Sequence, residues 1–145
     1  WKPLKQHKAI LLGDEIVVSF LVPCPPLQFR PSFRVLELYE PADKGFRVTD
    51  DDGVVPITAV TIAAEAVVAI ALGRPVSGQA YVWYAPQTTH QGHGSLFDSD
   101  PTVCTENYVY EADSGQYPEA NVSEFVDRPY PLNNACVAFR IEVEA

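Results

Sequence analysis

Two imidazoles three residues apart, in His90-Gln91-Gly92-His93, are the side chains most suggestive of chemistry, and Asp98 and Asp100 follow them. Nitrogen and carboxylate ligands in such a cluster suit a borderline metal such as zinc. The spacing argues against it, because the run is glycine-bearing rather than helical and no Glu stands between the histidines as in the zinc-protease motif. Solvated loop histidines are the reading that remains, and no metal is expected. Ser95 follows Gly94 but lies outside any Gly-x-Ser-x-Gly elbow, and no sequence signal pairs it with a base. Carboxylates are plentiful, yet none has the apolar neighbourhood that raises the pKa of a glycosidase acid. A phosphate-cradling glycine loop with its lysine is missing as well. No catalytic residue and no cofactor is therefore assigned, and the chain reads as non-enzymatic. A hydrolase with its site in the 86–134 loops stays open as an alternative.

The acidic run Asp50-Asp51-Asp52-Gly53 invites a calcium site, but it lacks the alternating ligands and downstream Glu of an EF-hand loop. A turn is the expectation, since Asp and Gly tolerate left-handed backbone. Cys24, Cys104 and Cys136 cannot all pair within one chain, and no two form a Cys-x-x-Cys motif. Buried free thiols of a chain folded in reducing cytoplasm are expected, with one disulfide plus a free thiol as the alternative.

Binding is better served than catalysis. Tyr81 and Trp83 alternate along one strand, and either could stack on a sugar or pack across the sheet. Tyr108, Tyr110 and Tyr117 lie in a stretch without periodicity, from Pro86 to Asn134, rich in Gly, Pro, Ser, Asp and Asn. So long a loop is uncommon in a compact domain unless it is functional. Recognition residues tend to sit on loops whose ends a rigid sheet fixes. These five aromatics are the candidate binding residues. Coverage of a sheet edge is the plainer role for the same segment.

The elements that must position them are strands. Thirteen prolines in 145 residues disfavour long helices. Ala9-Ile10-Leu11-Leu12 and Glu15 to Val22 flank a Gly13-Asp14 turn and predict a hairpin. Leu27 to Glu40 predicts one or two short strands, and Phe46 to Thr49 another. Residues 54–72 are rich in Ala and could be helical, but Val60 with Ile62, and Val68 with Ile70, repeat at period two. A hairpin turning at Ala63–Ala66 is the expectation. The run from Cys136 to Glu144 predicts a last strand with Val137, Phe139, Ile141 and Val143 inward. The expected fold is all-β, an antiparallel two-sheet, jelly-roll-like β-sandwich with a long irregular segment before the last strand. Its core would hold Ile16, Val18, Phe20, Val60, Ile62, Val68, Ile70, Val82, Val137, Phe139 and Ile141.

Ten Lys and Arg against 19 Asp and Glu give a net charge of −9, which disfavours nucleic acid and anionic membranes as partners. Pro56 and Glu65 interrupt the one long apolar stretch, so no membrane insertion is expected. The length suits a single domain over 1–145. Trp1 in place of an initiator Met suggests that the sequence lies inside a longer translated chain.

Several pieces in order carry a resemblance. They include Trp1-Lys2-Pro3-Leu4, Ile16 to Pro23, Pro25-Pro26-Leu27, Gly45 to Asp50 and Val82-Trp83-Tyr84-Ala85. They continue with Gly94-Ser95-Leu96-Phe97-Asp98-Ser99-Asp100 and Tyr130 to Phe139. The chain resembles the C-terminal β-domain that follows a GDSL-type (SGNH, sialate O-acetylesterase-like) hydrolase domain in virion proteins of tailed bacteriophages and prophages. Phe97 stands where that family has a basic residue, and Ala135 where it has an aromatic. Its catalytic Gly-Asp-Ser and Asp-x-x-His blocks do not occur, so no catalytic residue carries over. The resemblance implies a structural accessory module of a tail, fibre or capsid-surface protein, located in the virion. It would support particle assembly or position a neighbouring esterase at the bacterial surface. Its partners would be other virion subunits, including copies of itself. A carbohydrate-binding module for host surface glycan is the alternative.

Overall fold

The computed structural model describes residues 1–34 and 37–145. Its strands are β1 (Lys5–Leu12), β2 (Glu15–Leu21), β3 (Gln28–Phe29), β4 (Ser32–Arg34), β5 (Glu37–Tyr39) and β6 (Phe46–Asp50). There follow β7 (Gly53–Val55), β8 (Ile57–Ala64), β9 (Val67–Leu72), β10 (Tyr81–Tyr84), β11 (Leu96–Phe97) and β12 (Phe139–Glu144). Among the described residues helix is confined to one turn, α1 (Gln87–His90), and a 3-10 turn at Pro118–Ala120. The fold is all-β. None of the helices described is long and apolar enough to cross a membrane.

Eight strands share one sheet in the order β7-β6-β10-β12-β1-β2-β9-β8, and β11–β3 and β4–β5 form two short antiparallel ribbons. The two edge strands, β7 and β8, are consecutive in the chain and separated only by Pro56. The sheet therefore curls until its edges meet at that corner, where Gly73 N–H donates to the Pro56 carbonyl at 2.7 Å. Proline lacks the donor that a continuing ladder needs, which suits it to this position.

The predicted hairpins form. β1 and β2 pair around Gly13-Asp14, and β8 and β9 around Glu65-Ala66, so residues 57–72 are two strands rather than a helix. β-branched side chains at period two outweigh the helix propensity of the alanines once one face can be buried. Asp51-Asp52 makes the turn between β6 and β7, as expected of the acidic run.

Alternation sends one face of each strand inward. Ile16, Val18, Phe20, Val68, Ile70 and Val82 are buried, joined by Val60, with Ile62, Phe139 and Ile141 packed at the margin. An aromatic cluster fills one end. Tyr84 lies 5.0 Å from Phe46 and stacks at 5.7 Å on Phe139, whose ring also meets Phe20.

The hydrogen bonding departs from the expected sandwich in two particulars. Both halves of the core come from one continuous ladder, and β1 runs parallel to β12, with Ala9 opposite Val143. β12 arrives from a long connection rather than a tight turn, so no hairpin dictates its direction.

The last strand also needs correction. It begins at Phe139, and Val137 is 41% exposed rather than inward. Ala135 and Cys136 first make isolated bridges to Phe97 and Leu4, and this change of partner breaks the alternation before β12 starts. Cys136 takes the buried place instead, and its burial pushes the thiol well above its ordinary range. All three cysteines are free, but Cys24 and Cys104 are only half-buried. The expected strands across 27–40 appear as β3, β4 and β5; Val35 and Leu36 lie outside the described residues.

Candidate functional site

The long segment provides the most conspicuous concave surface. From 101 to 135 no residue is buried, although the stretch carries Val103, Tyr108, Val109, Tyr117 and Leu132 as large exposed apolar side chains. Its two arms are zipped by Cys104 N–H to the Tyr130 carbonyl (3.0 Å), Leu132 N–H to Thr102 (2.8 Å) and Asp127 N–H to Tyr108 (2.7 Å). At its tip, Phe125 N–H and Val126 N–H both donate to the Val122 carbonyl, making a tight turn.

That turn aims Phe125 between two rings. Phe33 from β4 meets it edge-on at 5.9 Å, and Tyr130 meets it at 5.3 Å. The β4–β5 ribbon, with Phe33 opposite Leu38, holds Phe33 out from the sheet. Tyr108, Tyr117 and Val122 complete a cleft of about 740 Å³ in which Glu119 is the one carboxylate among the described lining residues. Tyr108 is steadied there by Gln116, whose amide donates to the phenol oxygen at 3.0 Å. Tyr117 is 81% exposed, its ring free to meet a partner.

Of the five aromatics singled out from sequence, Tyr108 and Tyr117 line this cleft. Tyr110 is half-buried and does not line the cleft. Tyr81 and Trp83 stand on the outer face of β10. There the Trp83 indole N–H donates to Thr49 Oγ1 (2.9 Å), and the Arg140 guanidinium lies 4.1 Å from the Tyr81 ring centroid and 5.2 Å from that of Trp83. Phe33, Phe125 and Tyr130 were not singled out. Only the non-local meeting of the 101–135 segment with the short strand that carries Phe33 makes them a site.

The histidine reading needs revision. His90 is 5% exposed, not solvated. Its Nε2 meets Asp43 Oδ1 and its Nδ1 meets Thr89 Oγ1, each at 2.9 Å. Hydroxyl, imidazole and carboxylate thus stand in line, an order that can activate a hydroxyl. Here Asp43 Oδ1 also accepts the Gly45 N–H at 2.9 Å, so the imidazole acts as a bolt between the 41–45 turn and α1. His93 does not join it. The described residues contain no group of three or more His, Cys, Asp or Glu able to hold a metal ion.

Ser95 is fully buried and its hydroxyl has no hydrogen-bond partner, so nothing in reach prepares it as a nucleophile. Asp98, three residues on, is buried too and ties the base of the long segment together through Asn134. Asp50, first of the acidic run, has its side chain fully covered and receives Arg74 in a bidentate pair at 2.6 and 2.9 Å. That pair, with N–H donors from Ser77 and Asp52, holds its carboxyl well below the ordinary range. These are structural carboxylates, each already satisfied.

No family model, curated protein or solved structure matches this chain.

Proposed function

We propose that this chain is a non-catalytic assembly module of a bacteriophage virion protein, docking a neighbouring virion subunit through the aromatic cleft. The carrying observation is the 101–135 segment, which exposes large apolar side chains around a preformed cleft and buries none of its own residues. Apolar patches of this kind on soluble proteins mark interaction surfaces, and aromatic side chains dominate the energy of such contacts. The order of short motifs from Trp1 to Phe139 supplies the virion context and suggests an upstream esterase in the parent chain.

A second reading, recognition of bacterial surface glycan, is favoured by Tyr117 alone, whose ring is open to solvent. Both readings leave the chain itself without catalysis. Particles assembled with Tyr117→Ala, and separately with Phe33→Ala, test the proposal. Loss of assembly while the isolated chain melts normally supports subunit docking. Intact particles with lost adsorption to host cells support glycan recognition instead. Normal assembly and adsorption with both variants would overturn both.

A further inference from the structure

On the outer face of the sheet, Arg47, Trp83 and Arg140 are directly opposite one another on β6, β10 and β12, forming one row across three strands. The next row on that face is Thr49, Tyr81 and Glu142. We propose that this face binds a carboxylate-bearing polysaccharide, with Arg47 and Arg140 receiving its anionic groups on either side of Trp83. The surface is distinct from the aromatic cleft and does not depend on it.

Charge and placement together carry the argument. The chain has nearly twice as many acidic as basic residues, and three cations take carboxylates: Lys8 with Glu144, Lys44 with Glu40, Arg74 with Asp50, while Arg30 donates to the Asn133 amide oxygen. The Arg47 side chain has no hydrogen bond, ion pair or ring contact among the described residues. Arg140 makes ring contacts alone. Glu142 lies two residues along the same strand and pairs with neither. What sets these two guanidiniums apart from a lone unpaired cation such as Arg128 is that they flank one indole in a single row, which makes a local positive site.

Their setting suits a sugar acid. Stacking on Tyr81 and Trp83 fixes the plane of the Arg140 guanidinium and leaves its edge N–H groups to grip a carboxylate in a bidentate pair. Trp83 is pinned by its bond to Thr49, so the indole is a rigid apolar floor between the two cations. Adjacent strands are about 4.8 Å apart, which sets the two arginines roughly 10 Å apart at the backbone. Two cations at that spacing suit carboxylates on alternate sugars of a chain. Nucleic acid is not matched, because its phosphate contacts need a dense cluster of Lys and Arg where this row supplies two arginines.

Affinity electrophoresis and titration calorimetry of the 145-residue chain against polygalacturonate test this, with dextran as the neutral polymer. Binding to polygalacturonate but not to dextran is expected, with Arg140→Gln and Arg47→Gln each weakening it at least tenfold. Arg128→Gln, away from the row, should leave binding unchanged. Circular dichroism melting of each variant keeps the result readable, and Arg47→Gln decides the matter if Arg140→Gln unfolds. No binding by the native chain, equal retention in dextran, or folded row variants that bind normally would each overturn the proposal. So would tighter binding to single-stranded DNA or to phosphatidylserine vesicles than to polygalacturonate.

Discussion

The buried carboxylate of Asp98 accepts both the backbone N–H of Asn134, at 2.7 Å, and its side-chain amide, at 2.8 Å. In return Asp98 N–H donates to the Asn134 carbonyl at 3.0 Å. Two residues thirty-six positions apart are thus joined on both backbone and side chain. The long irregular segment becomes an excursion closed at its base, with the Asp98 carbonyl held in turn by the Gln28 amide at 2.6 Å. The same junction brings together three pieces of the motif order read from sequence, since Ser99 bonds the Cys24 and Pro26 carbonyls beside it.

Removing one side of this junction should be costly. Asn134→Ala leaves one oxygen of a buried carboxylate without its amide donor, a loss of roughly 1.5–3 kcal/mol for a bond to a charged acceptor. Urea unfolding should give a lower midpoint with an unchanged slope. A midpoint equal to that of the native chain would show that water replaces the amide at no cost.

The Asp50–Arg74 pair predicts acid sensitivity of a definite sign. Arg74 and the surrounding N–H donors depress the folded carboxyl's pKa, so the stabilisation is complete above the ordinary Asp value of about 3.9. It is lost as pH falls below that value toward the depressed folded one. Asp50→Asn should therefore lower the melting temperature clearly at pH 7. The gap to the native chain should narrow steadily between pH 4 and pH 2. A gap constant across that range would mean that the pair contributes nothing through charge.

What sequence revealed of the fold was what alternation encodes. Ile16, Val18 and Phe20, or Val68 and Ile70, declare a buried face locally, and the structure buries them. Gly13-Asp14 and Asp51-Asp52 announce their turns by residue type. The parallel meeting of β1 with β12 has no local signature, because its partners come from opposite ends of the chain. Val137 misled for a related reason: it alternates with Phe139, but the chain changes partner at Cys136. His90 looked like a solvated loop residue because nothing near it in sequence announces Asp43. The cleft was half legible, with Tyr108 and Tyr117 visible as aromatics in a long loop. Phe33 and Phe125 emerge only when a short strand and a distant segment without periodicity meet.

Gly94 is expected to tolerate no side chain. A Cβ there would overlap the Tyr84 ring, and one on Gly45, whose φ is +94°, would run into the Gly94 backbone. The contact lets the Tyr84 hydroxyl reach the Leu96 N–H at 2.9 Å inside the core. Gly94→Ala should cost about 1–3 kcal/mol through overpacking. Tyr84→Phe should cost a similar amount by orphaning a buried N–H. Thermal melts of both variants check this, and a neutral Gly94→Ala would show that the 92–95 backbone can retreat from the ring.

The last prediction separates the lobe at 101–135 from the sheet. The lobe has no buried residue, is closed at its base by Asp98 and Asn134, and is held internally by Phe125 against Tyr130 and to β4 by Phe125 against Phe33. Regions with few buried apolar contacts open at lower free energy than core strands. Phe125→Ala should weaken the lobe by about 1–3 kcal/mol, less than for a fully buried phenylalanine. Hydrogen exchange should then quicken at the amides of Cys104, Asp127 and Leu132, whose bonds zip the two arms. Val18, Ile70 and Val82 in the sheet should keep their protection. Tyr117→Ala, at an exposed ring, should change stability by no more than about 0.5 kcal/mol. Uniformly faster exchange throughout the Phe125→Ala chain would mean that lobe and sheet unfold as one unit, and that the cleft's aromatics are bound up with the stability of the whole fold.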